Sequence, residues 1–248
     1  MASERVKSLQ FTGSGSGALV GQSFEPSGAW PELAFSGYAV LADYQHNALR
    51  QEWVGKRSVG IRAGVSSAQP SQRSVGFYRD TSAWNMIGPV PVATPWALLE
   101  RVHMLVATPH GALWAAQRSG ATLASMGAGT DFNFVHDSMF AVTVQLNSRY
   151  QVQEIQTQLA HEVLGDVSVV TRFADYKLFN GVPFPGRIQQ YWGGTQTLDI
   201  QVSQVQVNPS FVISIPGLVL GGEPRVLSEQ LADGVWLLSG GPHSSVAI

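Results

Sequence analysis

Residues 140–207 of this 248-residue chain repeat one local grammar, an alternating apolar run followed by a turn and a second run, and that repetition restricts the fold more than any other feature. In Phe140-Ala141-Val142-Thr143-Val144-Gln145-Leu146, one parity carries Val142, Val144 and Leu146. Asn147-Ser148-Arg149 then turns the chain into a run at 150–159. The runs 167–173, 187–192 and 197–207 repeat this, separated by Asn180-Gly181-Val182-Pro183 and Gly193-Gly194. Leu198, Ile200 and Val202 share one parity whereas Val205 and Val207 share the other, so a β-bulge is expected near Ser203-Gln204. Weaker strand signals lie at 8–12, 38–44, 49–54 and 75–79, and the Gly/Ser/Gln-rich stretch 55–74 reads as a long exposed loop.

Helical periodicity is confined to the middle of the chain. Thr94-Pro95 and Thr108-Pro109 each place a hydroxyl before a proline suited to the first helical position. In the first helix Leu98, Leu99, Val102, Leu105 and Val106 fall in one arc, with Glu100 and Arg101 opposite. In the second, residues 109–117, Leu113, Trp114 and Ala116 supply apolar contacts before Gly120 ends it. The expected architecture is α+β and mainly antiparallel, with two short helices laid over one face of a curved sheet.

Composition narrows the function classes. With 44% hydrophobic and 13% charged residues the chain has ample apolar material for a core. Fifteen basic against seventeen acidic residues give a formal charge of −2, so nothing draws it to a phosphate backbone and nucleic acid is not an expected partner. The absence of cysteine excludes disulfides, thiolate metal ligands and a cysteine nucleophile. No segment approaches the roughly 20 apolar residues of a bilayer-spanning helix, so a transmembrane protein is not expected.

Catalytic signatures are weak. The six histidines, at 46, 103, 110, 136, 161 and 243, form neither His-x-His nor His-Glu-x-x-His spacing, so no metal and no cofactor is expected in this chain. His136-Asp137 reads as turn chemistry, and His161 with Glu162 and Asp166 as a solvated connection. His103 borders the apolar arc and reads as a satisfied interfacial histidine. Gly13-Ser14-Gly15-Ser16-Gly17-Ala18 matches a dinucleotide pattern in letters, but no helix pattern follows it, so it reads as a flexible strand or hairpin. His110 opens the second helix, where the helix dipole favours neutral imidazole. The clearest remaining signal is aromatic. A curved sheet under two helices leaves room for a cavity, and the expected ligand-binding set is Trp84, Trp96, Leu99, His110, Trp114 and Phe134.

The stretch Asp175-Tyr176-Lys177-Leu178-Phe179-Asn180-Gly181-Val182-Pro183-Phe184-Pro185-Gly186-Arg187-Ile188 is similar to the strand, glycine turn, proline and strand of the LolA/LolB-type lipoprotein-binding folds. These are half-open antiparallel barrels with helices across the mouth. The ending, Leu231-Ala232-Asp233-Gly234-Val235-Trp236-Leu237-Leu238-Ser239-Gly240-Gly241-Pro242-His243-Ser244-Ser245-Val246-Ala247-Ile248, resembles the opening hairpin of the metallo-β-lactamase-fold hydrolases. Together with Thr108-Pro109-His110-Gly111 and Ser82-Ala83-Trp84-Asn85, the chain resembles the accessory region that precedes such a hydrolase domain. The resemblance implies a LolA/LolB-like domain at 5–220, a linker at 221–230, and at 231–248 the first hairpin of a truncated hydrolase domain. It implies a non-catalytic binding or support module for a lipid, an acyl chain or another apolar molecule, partnered by the missing hydrolase domain or a second chain. It also favours an exported, periplasmic setting. The alternative reading is a fragment of a metal-dependent zinc hydrolase whose catalytic residues lie beyond Ile248.

Overall fold

The computed structural model describes residues 6–20, 28–57, 71–121, 130–161, 164–220, 226–240 and 244–248. Its first half is a meander of six strands, β1 (Ser8–Ala18), β2 (Glu32–Asp43), β3 (Ala48–Arg57), β4 (Gln72–Arg79), β5 (Ser82–Ile87) and β6 (Val90–Ala93). A 3-10 turn (Pro95–Ala97) leads into α1 (Leu98–Val106) and α2 (Pro109–Arg118). The second half contains β7 (Thr130–His136), β8 (Phe140–Leu146), β9 (Val152–His161), β10 (Gly165–Ala174), the small hairpin β11 (Lys177–Phe179) and β12 (Val182–Phe184), β13 (Arg187–Trp192) and β14 (Thr195–Val207). After these come α3 (Gly217–Leu220), β15 (Leu227–Ala232), β16 (Val235–Ser239) and β17 (Ser245–Ala247).

Twelve strands form one antiparallel sheet in the order β6-β5-β4-β3-β2-β1-β14-β13-β10-β9-β8-β7. The two meanders meet where the first strand pairs with the last, β1 against β14. β6 and β7 remain edges, so the sheet is open rather than a closed barrel.

Turn chemistry accounts for the hairpins. Asn180 and Gly181 at φ 52° and 80° close β11–β12, and Gly193 and Gly194 at φ 54° and 85° close β13–β14. Asp137 and Ser138 take positive φ between β7 and β8, as expected of a turn there. The carboxamide oxygen of Asn147 accepts from the N–H groups of Arg149 and Gln151, at 2.9 and 3.0 Å, before β9.

Curvature is built into the central seam. Thr12 opposes Gln204 and Gly13 opposes Val202, leaving Ser203 as the extra residue of a bulge where the parity change predicts one. Further register shifts fall between Gly13 and Gly15 against β2, between Phe35 and Gly37 against β3, and between Gln190 and Tyr191 against β14. The glycine run in β1 serves this bend. A Cβ on Gly13 would stand 2.2 Å from the carbonyl oxygen of Gln201, and one on Gly15 1.9 Å from that of Asp199. These glycines lie in a strand, as expected, and there they admit a close backbone approach.

The two helices cover one face. Leu105, Val102 and Val106 of α1 and Ala112, Ala115 and Ala116 of α2 join Leu9, Tyr38, Val40, Val144, Ile155, Val169 and Ile200 of the sheet in the main core. α2 starts as its sequence implies: the Thr108 hydroxyl accepts from Gly111 N–H at 3.0 Å, and Pro109 follows. Such a cap contributes about 1 kcal/mol. Thr94 does not cap. Its hydroxyl accepts from Arg101 at 3.1 Å, and the α-helix begins only at Leu98. Leu113 is exposed, because α2 packs through its small alanine side chains.

Arg101, expected opposite the apolar arc, is buried instead. Its guanidinium donates to the main-chain oxygens of Phe77 and Trp84 at 2.8 and 2.9 Å, and to Asn85 Oδ1. A buried cation persists only when its donors are satisfied, and here that requirement fastens α1 to β4 and β5. A smaller core on the opposite face gathers Leu41, Ala48, Trp84, Ile213 and Val219.

Residues 55–57 and 72–74 prolong β3 and β4 into the stretch read as a loop, whose residues 58–70 lie outside the described ones. β15, β16 and β17 form a separate three-stranded sheet. The hairpin expected at the end is present as β16 and β17, and β15 begins at Leu227, inside the stretch read as linker. No helix among the described residues is long and apolar enough to cross a membrane.

Candidate functional site

A cavity of about 330 Å³ lies between the bent centre of the sheet and α1. Its walls come from the bulged strands. Phe11 of β1, Leu33, Phe35, Tyr38 and Val40 of β2 and Trp53 of β3 form one side, and Ile188 and Trp192 of β13 with Leu198 of β14 form the other. Side chains on one face of a strand recur at every second residue, and the register shift after Phe35 keeps Leu33, Phe35, Tyr38 and Val40 on the same side. The aromatic wall is continuous: Phe35 sits 5.6 Å from Tyr38 and 5.7 Å from Trp53, ring centre to ring centre. The roof is a stripe of α1 and its end, Glu100, Met104, Ala107 and Thr108, spaced so that one helix face presents them together.

Most polar groups of the lining are satisfied within the wall. Gln51 donates to Tyr38 Oη at 3.0 Å, Gln190 to Thr171 Oγ1 at 3.2 Å, and Trp192 Nε1 to Gln190 Oε1 at 2.9 Å. Thr197 donates to the Gln190 carbonyl at 3.3 Å, and Thr108 is held by its capping bond. Burial pushes the Tyr38 phenol up to about 12, so it remains a neutral donor and acceptor. His161 Nδ1 accepts the Leu164 N–H at 3.2 Å, and its ring meets Trp192 edge-on at 5.6 Å.

Glu100 differs. It is exposed where it lines the cavity, although the protein packed around it partly desolvates its carboxyl. That desolvation holds it above the usual carboxylate range, with Arg101 and His161 pulling the other way. No described residue donates a hydrogen bond to it, since the Arg101 guanidinium is turned toward the carbonyls of β4 and β5.

The six residues expected to bind ligand are dispersed, and none lines this cavity. Trp84 stacks on Phe77 at 5.2 Å in the smaller core, because it pairs with Phe77 across the hairpin while Tyr78, of opposite parity, enters the main core. Trp96 is exposed in the 3-10 turn, and Leu99 packs half-buried against the main core. Trp114 Nε1 donates to the Val6 carbonyl at 2.8 Å, and Phe134 stacks on Phe132 at 6.2 Å. His110 lies against Phe184 at 6.2 Å, with Nδ1 buried and without a hydrogen-bond partner among the described residues. Its pKa is lowered to about 4 by burial. The signal that finds the cavity is the 100, 104, 107 and 108 stripe beside the apolar arc, combined with the aromatic residues of β2.

Among the described residues no three His, Asp or Glu side chains gather as metal ligands would. His103, as expected, is an interior histidine, with Nε2 2.9 Å from Thr157 Oγ1.

No protein-family model matches the chain, and no curated protein matches its sequence. Among solved structures, it is similar to a LolA superfamily protein from Nitrosomonas europaea, with TM-score 0.49 and 14% identity over 84% of this chain and 90% of that one. It is also similar to a DUF1329 family protein from Desulfovibrio piger, with TM-score 0.25 and 8% identity over 85% of this chain and 90% of that one.

Proposed function

We propose that this chain is a non-catalytic binding module whose cavity takes a small apolar molecule, such as a single acyl or alkyl chain. The observation that supports this reading is the cavity of about 330 Å³ walled by Phe11, Phe35, Trp53, Ile188 and Trp192 in the concave face of the sheet. Protein interiors leave few spaces larger than a water molecule, so a space of this size with an aromatic wall is a candidate ligand site. Small-molecule sites span roughly 300–1,000 Å³, so this one suits a single medium chain rather than a two-chain lipid. The bulges and the β1 glycines keep the space open by bending the sheet away from α1.

The reading as part of a metal-dependent hydrolase draws chiefly on the resemblance of residues 231–248. None of these residues lines the cavity, and the binding role stands apart from it.

The test is titration with N-phenylnaphthylamine, a neutral hydrophobe whose emission rises in apolar surroundings. Saturable binding is expected, with a large loss of affinity in Ala107→Phe, which fills the roof while its unchanged melting temperature shows an intact fold. Absence of saturable binding to the folded wild type contradicts the proposal.

A further inference from the structure

Thr171 of β10 and Gln190 and Trp192 of β13 all line the cavity, and their hydrogen bonds run in one direction. An indole N–H has no lone pair, so Trp192 Nε1 can only donate. It donates to Gln190 Oε1 at 2.9 Å, and that contact fixes which way the Gln190 carboxamide is turned. The amide nitrogen of Gln190 therefore faces Thr171 and donates to its Oγ1 at 3.2 Å, across paired positions of β10 and β13. Thr171 Oγ1 thus acts as an acceptor, and its own hydrogen meets no acceptor among the described residues. The residue is only 2% exposed, so bulk water does not take that hydrogen. The other hydroxyls of the lining differ. Thr197 donates to the Gln190 carbonyl at 3.3 Å and Thr108 to the Leu105 carbonyl at 3.1 Å, while Tyr38 meets a Gln51 carboxamide whose orientation no donor-only group fixes among the described residues.

Resting on the apolar-ligand reading above, we propose that the molecule this cavity takes carries a neutral carbonyl group, as a ketone or an ester does, and that the Thr171 hydroxyl donates to its oxygen while the alkyl chain lies against the aromatic wall. The run of bonds from Trp192 through Gln190 to Thr171 leaves one hydrogen over, and a carbonyl oxygen accepts one without bringing a hydrogen of its own. A hydroxyl head adds a second hydrogen that needs an acceptor. A carboxylate head brings a charge and about four lone-pair sites to a place that offers one neutral donor, and an under-satisfied charge beside an aromatic wall is costly. The rest of such a carbonyl compound is hydrocarbon, which suits Phe35, Trp53 and Ile188 of the same lining.

The experiment displaces N-phenylnaphthylamine with 2-octanone and with 1-chlorooctane, which share a chain length and differ in how well the polar end accepts a hydrogen bond. Thr171→Val is near-isosteric and removes the donor. In this variant, with its fold checked by melting temperature, 2-octanone is expected to need about fivefold higher concentration than in wild type, while 1-chlorooctane and the probe bind unchanged. Trp192→Phe tests the direction of the bonds. Without the indole N–H the Gln190 carboxamide is free to turn and take the Thr171 hydrogen itself, so the ketone should lose affinity relative to the chloride, and this ratio decides the matter even if Thr171→Val does not fold. A ketone loss no greater than the chloride loss in Thr171→Val, or a ketone-to-chloride ratio kept in Trp192→Phe, overturns the carbonyl assignment while leaving the apolar site in place. Failure of the probe to bind wild type saturably overturns the assignment and the apolar site together.

Discussion

Gly76 on β4 makes the seat for the Arg101 guanidinium: a Cβ at that position would stand 2.7 Å from its terminal nitrogen. The strand surrenders a side chain so that a cation from α1 can lie against it and reach the carbonyls of Phe77 and Trp84. Gly76→Ala is therefore expected to destabilise the fold by about 1–3 kcal/mol, the range for overpacking a filled interior. Arg101→Met should cost a similar amount, since it leaves buried carbonyls unsatisfied. Because the two residues act on one contact, the double variant should lose less than the sum of the singles in urea denaturation. Strict additivity would show that the seat is not what either residue supports.

Gly15→Ala tests the bent seam. A methyl group there meets the Asp199 carbonyl at 1.9 Å, and backbone offers no rotamer to escape into. A loss of at least about 3 kcal/mol, or failure to fold, is expected, whereas Gly181→Ala, in a turn with open space, should be limited to its positive-φ strain of about 1 kcal/mol. Comparable effects at the two sites, measured by urea denaturation, would mean that β1 and β14 are not so closely apposed.

Glu100 gives stability an unusual pH trend. Its folded-state pKa is raised by desolvation, with Arg101 and His161 opposing and Tyr38 nearby, so the stability linked to its protonated form is complete below the unfolded value and lost as pH rises through the folded value. Glu100→Gln should match wild type near pH 4 and become progressively more stable than it as pH rises. Parallel stability curves from acid to neutral pH would contradict this.

His103 works in the opposite sense. Burial lowers its pKa from 6.5 to about 4, so its contribution is present above the unfolded value and lost as pH falls toward the folded one. His110, lowered for the same reason, adds to the trend. Protonation of His103 should remove of the order of 3 kcal/mol between about pH 6.5 and 4, and His103→Gln should flatten that part of the urea-midpoint profile. An unchanged acid limb in the variant would assign the trend elsewhere.

The strands were legible because turn residues punctuate them: residues 140–146 and 187–192 match β8 and β13, and the parity change beside Ser203 marks the bulge. A cavity under the helices was expected but its lining was not legible, because the lining comes from β1–β3, β13 and β14, strands whose proximity is set by the β1–β14 seam rather than by sequence neighbourhood. Trp84 and Trp114 illustrate the difficulty, since aromatic character alone does not say which face of a strand or helix a ring occupies. Glu100 and Arg101 were both placed opposite the apolar arc by helical angle. One ends at the cavity and the other beneath β4, because long side chains follow the donors and voids around them rather than the angle of their Cα.

The central claim, that the cavity is an apolar binding site, is tested most directly by calorimetric titration with 2-octanone at several temperatures. One molecule per chain with a negative heat-capacity change of binding is the predicted result, because burial of an alkyl chain against Phe35, Trp53 and Trp192 removes apolar surface from water. Binding without a heat-capacity change, or no saturable heat with the fold intact, would contradict it.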